Sequence, residues 1–138
     1  MERSNMSPNR IRRIVNASLW LAALISASVF FVAAVAKFSG LMTAQFEAWG
    51  YGGHFAVVVG LIEFLGALGL LLPRTAGWAA LGLSVVMLGA IGTYVVNGDH
   101  VAALLPAGML GLLALVLWGR GLVMEPTTRG HVVATKNP

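Results

Sequence analysis

VVVGLIEFLGALGLLLPR, residues 57–74, is apolar or small from Val57 to Leu72 with one exception, Glu63, near its middle. The run approaches the roughly 20 residues needed to cross a hydrocarbon core about 30 Å thick. It stops at Pro73, which cannot continue a helix, and Arg74 and Thr75 open a very tight return. The rest of the chain has the same character. Apolar residues fill 58% of 138 positions, 10% are charged, and mean hydropathy is +0.84. A soluble domain carries about one quarter charged residues, so the sequence reads as an integral membrane protein of one domain.

Outward from this stretch, three more runs are long enough to span. The expected spans are 14–36, 55–72, 76–96 and 101–123, giving an all-α, integral membrane four-helix bundle. Residues 1–13 form a basic segment before it, and 124–138 a polar tail after it. Asn97, Gly98 and Asp99 mark the turn between the third and fourth spans. Pro106 leaves two readings of the last helix: a kink, or a start near Leu105 with Pro106 in the first turn.

Cationic residues near span ends stay on the cytoplasmic side. Arg3, Arg10, Arg12, Arg13, Arg74, Arg120, Arg129 and Lys136 fall on one side of this topology, and Lys37 alone on the other. Both termini are therefore expected in the cytoplasm. The net charge of +4 reflects this topology and attraction to anionic headgroups, not nucleic acid binding. Arg10–Arg13, the following apolar run and Ala34-Val35-Ala36 imitate a signal peptide, but the apolar run exceeds an h-region of about 7 to 15 residues and suits an uncleaved anchor.

The longest connection, FSGLMTAQFEAWGYGGHF, places Met42, Phe46 and Trp49 on one helical stripe. It reads as a short interfacial helix, serving either as part of an aromatic belt or as a lid over a cavity. On the second span, Glu63 shares its face with Ala56, Val59, Gly60, Gly66, Ala67 and Leu70, opposite Val58, Leu61, Leu65, Leu68 and Leu72. Small residues admit a neighbouring helix, so Glu63 is expected to point into the bundle. Gly82, Gly89, Gly92 and Thr93 form a groove on the third span, expected to meet the small-residue face of the second span. A carboxylate at such depth needs a partner or a proton. Three arrangements fit: an ion pair with Lys37, a protonated acid bonded to Ser26, Ser28 or Thr93, or a wet pocket. In each, Glu63 also fits a purely structural staple.

The segments FFVAAVAKFSG, QFEAWGYGGHFAVVVGLIEFLGALGLLLPR and AALGLSVVMLGAIGTYVVNGD resemble the DoxX family of small bacterial and archaeal membrane proteins, over about residues 28 to 120. The likeness rests on Lys37, Trp49 to Tyr51, Gly60 with Glu63, Pro73 with Arg74, and Met87 to Ile91. Two positions depart from the pattern: Gly52, where relatives commonly have Pro, and Tyr94, where they have His. The resemblance implies a membrane subunit associated with redox complexes, including a quinone-linked terminal oxidase, whose members mostly lack an assigned activity.

The chain has no cysteine, and His54, His100 and His131 lie outside the expected spans. No thiol exchange, iron–sulfur cluster or bis-histidine haem is therefore expected, nor a metal site, catalytic residue or intrinsic cofactor. Three roles remain. The first is a non-catalytic accessory or anchoring subunit of a membrane redox complex. The second is a binder of a quinone or other lipid-like molecule, with Trp49, Tyr51, Gly60, Gly66, Gly89, Thr93 and Tyr94 as the pocket. The third is a small transporter or channel. The partners considered are the bilayer, redox subunits and further copies of this chain.

Overall fold

Residues 8–121 are described by a computed structural model, and their regular structure is entirely helical. Arg3, Arg129, His131 and Lys136, the tail 124–138 and the expected end of the fourth span lie outside the described residues. The helices are α1 (Pro8–Phe38), α2 (Thr43–Ala48), α3 (Gly53–Leu71), α4 (Ala76–Val96) and α5 (Leu104–Gly121). Among them α1, α3 and α4 are long and apolar enough to cross a membrane, while α5 is apolar but shorter.

The ends of these helices follow from local chemistry. α1 already includes Pro8 at the first described residue, ahead of the span expected from residue 14, because nothing in NRIRRIV breaks a helix. Its 31 residues reach about 46 Å, longer than the hydrocarbon core alone requires. α3 ends at Leu72, whose extended backbone (φ −95°, ψ 118°) is what a residue before proline adopts. Thr75 Oγ1 then donates to the Gly69 carbonyl at 2.9 Å, satisfying one of the last carbonyls of α3. After α4, Gly98 (φ +77°) lets Gly98 and Asp99 donate back to Val95 and Tyr94. Asp99 in turn accepts from the Ala102 backbone, and Pro106 occupies the first turn of α5, so the fourth helix starts late instead of kinking.

The four long helices alternate in direction and close a ring, in which α1 packs on α3 and α5, and α4 on α3 and α5. Arg10, Arg12 and Arg13 of α1, Arg74 of the α3–α4 turn and Arg120 of α5 consequently share one end; α2 caps the other. At the arginine end, Leu19 presses on Gly119 and the Arg120 guanidinium lies 5.0 Å from the centre of the Trp20 ring. The core cluster sits in this half. Ala22, Ala23, Ala27 and Phe30 of α1 meet Ala67 and Leu70 of α3, Ala80, Leu83 and Met87 of α4, and Met109, Leu113 and Val116 of α5. Alanine at five of these twelve positions brings helix axes close, the favoured packing where lipid offers no hydrophobic contrast.

The small residues of α3 and α4 behave differently. On α3, Ala56, Gly60, Glu63, Ala67 and Leu70 are buried, and Val58, Leu61, Leu65, Leu68 and Leu72 are exposed. On α4 the buried stripe is Ala76, Ala80, Leu83 and Met87, not the expected glycine groove. A Cβ at Gly82, Gly89 or Gly92 would meet nothing within 4 Å. α3 and α4 touch near their shared turn, where Gly69 receives Ala79 and Gly66 receives Leu83. Toward α2 they stand apart.

Candidate functional site

Lys37 Nζ donates to Glu63 Oε2 at 2.7 Å, and the two side chains are 9% and 3% exposed. Counting from the rim of each span places Glu63 roughly 12 Å deeper than Lys37; the structure brings them within one turn. Gly60 sets the register, because a Cβ there would stand 3.0 Å from Lys37 Cβ and 3.4 Å from the Ala34 carbonyl oxygen. Without that Cβ, Gly60 sits level with Lys37, and Glu63 follows about 4.5 Å further along the axis. Helical side chains lean toward their own N-terminus. Since α1 and α3 are antiparallel, Lys37 and Glu63 lean toward each other.

The other partners considered for Glu63 are engaged elsewhere or unengaged. Ser28 donates to the Leu24 carbonyl, and Thr93 to the Gly89 carbonyl. Ser26 is fully buried with an unpartnered Oγ. Among the described residues Glu63 Oε1 has no hydrogen-bond partner, yet Ser26 Oγ is the only buried side-chain N or O atom there without one. Oε1 therefore borders open space.

That space is a cavity of about 330 Å³ in the gap between α3 and α4. Its walls are two helical stripes, Phe55, Val58, Val59 and Ile62 on α3 and Val86, Gly89, Ala90, Thr93 and Tyr94 on α4. Lys37 and Glu63 form its polar inner end. Val58 and Ile62 are 52% and 44% exposed, so the cavity continues to the outer surface of the bundle between the two helices. The absent side chain at Gly89 helps to keep it open.

α2 roofs the cavity through an aromatic cluster. Phe46 is buried, with the rings of Trp49, Tyr51 and Phe55 at 5.7, 6.2 and 6.1 Å from its own. Gly50 (φ +84°) ends α2 and allows Tyr51 to turn back, its N–H donating to the Phe46 carbonyl at 2.8 Å. Tyr51 then stacks on Phe55 and its hydroxyl lies 3.2 Å from Thr93 Oγ1, while Trp49 meets Tyr94 edge to face at 5.1 Å. These two contacts tie α2 to α4 across the gap.

Of the seven residues expected to form a pocket, Trp49, Tyr51, Gly89, Thr93 and Tyr94 line this cavity. Gly60 and Gly66 do not; they are packing positions, against Lys37 and Leu83 respectively. Sequence reasoning missed Val58 as a wall residue and assigned it to the lipid-facing side. Its signal was the period of 55, 58, 59, 62 and 63, indistinguishable in composition from a lipid face. No group of three or more His, Cys, Asp or Glu side chains suited to a metal forms among the described residues; His54 and His100 are exposed.

No curated protein and no solved structure matches the chain. A family model, described as the DoxX-like family, matches residues 18–117. The match begins where α1 enters the bundle and contains every residue that lines the cavity. The chain belongs to the DoxX-like family.

Proposed function

We propose that this protein is a four-span component of the bacterial inner membrane that holds a lipophilic molecule with an oxygen-bearing head in the cavity between α3 and α4. The observation that carries the reading is the form of the cavity: apolar walls reaching the lipid-facing surface, and a single ion pair, Lys37–Glu63, at the inner end. A molecule entering sideways from lipid would leave its tail among Val58, Ile62 and Val86 and offer its head to the pair. Such sites are mostly apolar with a few convergent polar groups. A quinone or its hydroquinone is the member of this class that the family resemblance implies, which makes the chain a non-catalytic, ligand-holding subunit of a membrane redox system.

The orientation belongs to the same proposal. Arg10, Arg12, Arg13, Arg74 and Arg120 share one end of the bundle and Lys37 is buried toward the other, which supports cytoplasmic placement of both termini. α5, at 18 residues, is within the length of a span and runs beside α1 and α4.

The test is titration of the protein in lipid nanodiscs with a short-tailed quinone and its hydroquinone, followed through the fluorescence of Trp49, which lines the cavity. Saturable change that disappears in Trp49→Phe is expected for at least one form. No saturable change with either overturns the proposal.

A further inference from the structure

From the unequal use of the two Glu63 oxygens, we infer that the cavity selects a hydroxyl-bearing head, a lipophilic phenol or alcohol, over one that can only accept hydrogen bonds. This rests on the cavity being a ligand site. Oε2 accepts from Lys37 at 2.7 Å, while Oε1 has no partner among the described residues and Glu63 lines the cavity. A carboxylate oxygen can only accept, and an ammonium can only donate through its three N–H groups. Lys37 commits one of these to Glu63. The inner end of the cavity therefore presents a donor and an acceptor side by side.

A hydroxyl answers both. Its hydrogen is donated to Oε1 and its oxygen accepts from Lys37 Nζ. A ketone, ether or quinone carbonyl satisfies only the lysine and brings its lone pairs against Oε1, leaving a buried acceptor unmade. Hydrogen bonds to charged groups are the stronger kind, and an unsatisfied buried partner carries the larger penalty. A site with a fixed polar group rejects the analogue that lacks the matching one more strongly than an apolar pocket rejects a change of size. Thr93, which also lines the space, is already bonded to Gly89 and Tyr51, and the Tyr94 hydroxyl can rotate to donate or accept, so neither imposes this choice.

Glu63→Gln reverses what the cavity offers the ligand. Lys37 is a donor only, so it draws the amide oxygen to itself, and the amide N–H₂ takes the place of Oε1. The cavity then faces the ligand with two donors. The experiment is calorimetric titration of nanodisc-embedded protein with 4-nonylphenol and with its methyl ether, empty nanodiscs subtracted. The wild type is expected to bind the phenol at least about tenfold more tightly than the ether, and Glu63→Gln to lose that preference or favour the ether. Equal binding of the two probes by the wild type overturns the inference and leaves the cavity as an unselective lipophilic site. A preference for phenol that persists in Glu63→Gln also overturns it, because selection would then come from the bulk of the methyl group. If the wild type binds neither probe, the ligand-site reading and this inference fall together. Since the comparison within the wild type needs no variant, the inference remains open to refutation even if Glu63→Gln is unstable.

Discussion

Removing one member of the Lys37–Glu63 pair is expected to harm the fold more, per residue changed, than removing both. At 2.7 Å and an effective dielectric constant of about 20, the attraction between the two charges is about 6 kcal/mol. Against it stands a desolvation cost of several kcal/mol for each ion, so the pair contributes little net stability relative to uncharged residues of similar volume. A single replacement has a different balance, since the attraction is lost while the surviving charge stays where its partner left it, 9% or 3% exposed. Lys37→Met keeps the stem and loses the ammonium. Glu63→Gln keeps an acceptor for Lys37 and loses the charge. Each single variant should cost about 3 to 5 kcal/mol, and the double variant, which leaves no charge unpaired, should cost less than either single one, so that the two effects fall well short of adding. The assay is unfolding in detergent by added denaturing surfactant, with tryptophan fluorescence recording all four proteins under one condition. Strict additivity would refute the reasoning, because it would mean that neither charge depends on the other.

The glycines of α3 and α4 should respond in opposite ways: Gly66→Ala puts a Cβ 2.6 Å from the buried Leu83 side chain and should cost about 1 to 3 kcal/mol, whereas Gly82→Ala, with nothing within 4 Å, should stabilise by up to about 1 kcal/mol. Thermal shifts of the two variants in detergent check this, and the reverse order would be fatal to the packing described. Gly89→Leu should occupy the cavity, leaving the melting temperature near that of the wild type while binding of any cavity ligand falls at least about tenfold. Tyr51→Phe removes the bond to Thr93 and should loosen α2, raising amide hydrogen exchange at Thr43–Ala48 up to about tenfold for a bond contributing about 0.5 to 1.5 kcal/mol; unchanged exchange would show that the roof does not depend on this tie. Reporter fusions after Pro138 should be active only as cytoplasmic reporters, and insertions within Ala44–Ala48 only as periplasmic ones.

The helices of this protein were readable from composition because a span must satisfy its backbone internally, which leaves long apolar runs and sharp ends at Pro73 and Gly98. The inner face of α3 was readable because Ala56, Gly60 and Ala67 lie on the side of Glu63 and bulky residues lie opposite. The inner face of α4 was not readable, because both Ala76–Ala80 and Gly82–Gly89 offer small residues and only one face could pack. In water, polarity would mark the outer face; in lipid, both faces are apolar, so periodicity groups residues without saying which group turns inward. The axial offset between α1 and α3 was hidden for a related reason. It depends on Gly60 meeting the Ala34 carbonyl and Lys37 Cβ, a close approach that neither helix specifies alone. Once that offset is known, the ion pair follows from the direction in which helical side chains lean.

The division of the bundle into a closed half and an open half bears on why Glu63 is there. Near the Pro73 turn, where packing alone is at stake, the centre is closed by alanine, leucine, phenylalanine, methionine and valine, and among the described residues Ser26 is the only polar side chain buried there. α1 and α3 are already joined at Gly60 and by the Phe31–Phe64 ring contact at 5.8 Å. A staple between them would gain most from a fully bonded carboxylate, since a partly satisfied buried network is less stable than an apolar one. Glu63 instead uses one oxygen for Lys37 and turns the other to the cavity. Of the two departures from the family pattern, Gly52 immediately precedes α3 below the aromatic roof, and Tyr94 stands on the cavity wall against Trp49. Neither lies in the packed half. Both changes fall in the open half, away from the contacts at Gly60, Gly66 and Gly69 that hold the helices in register.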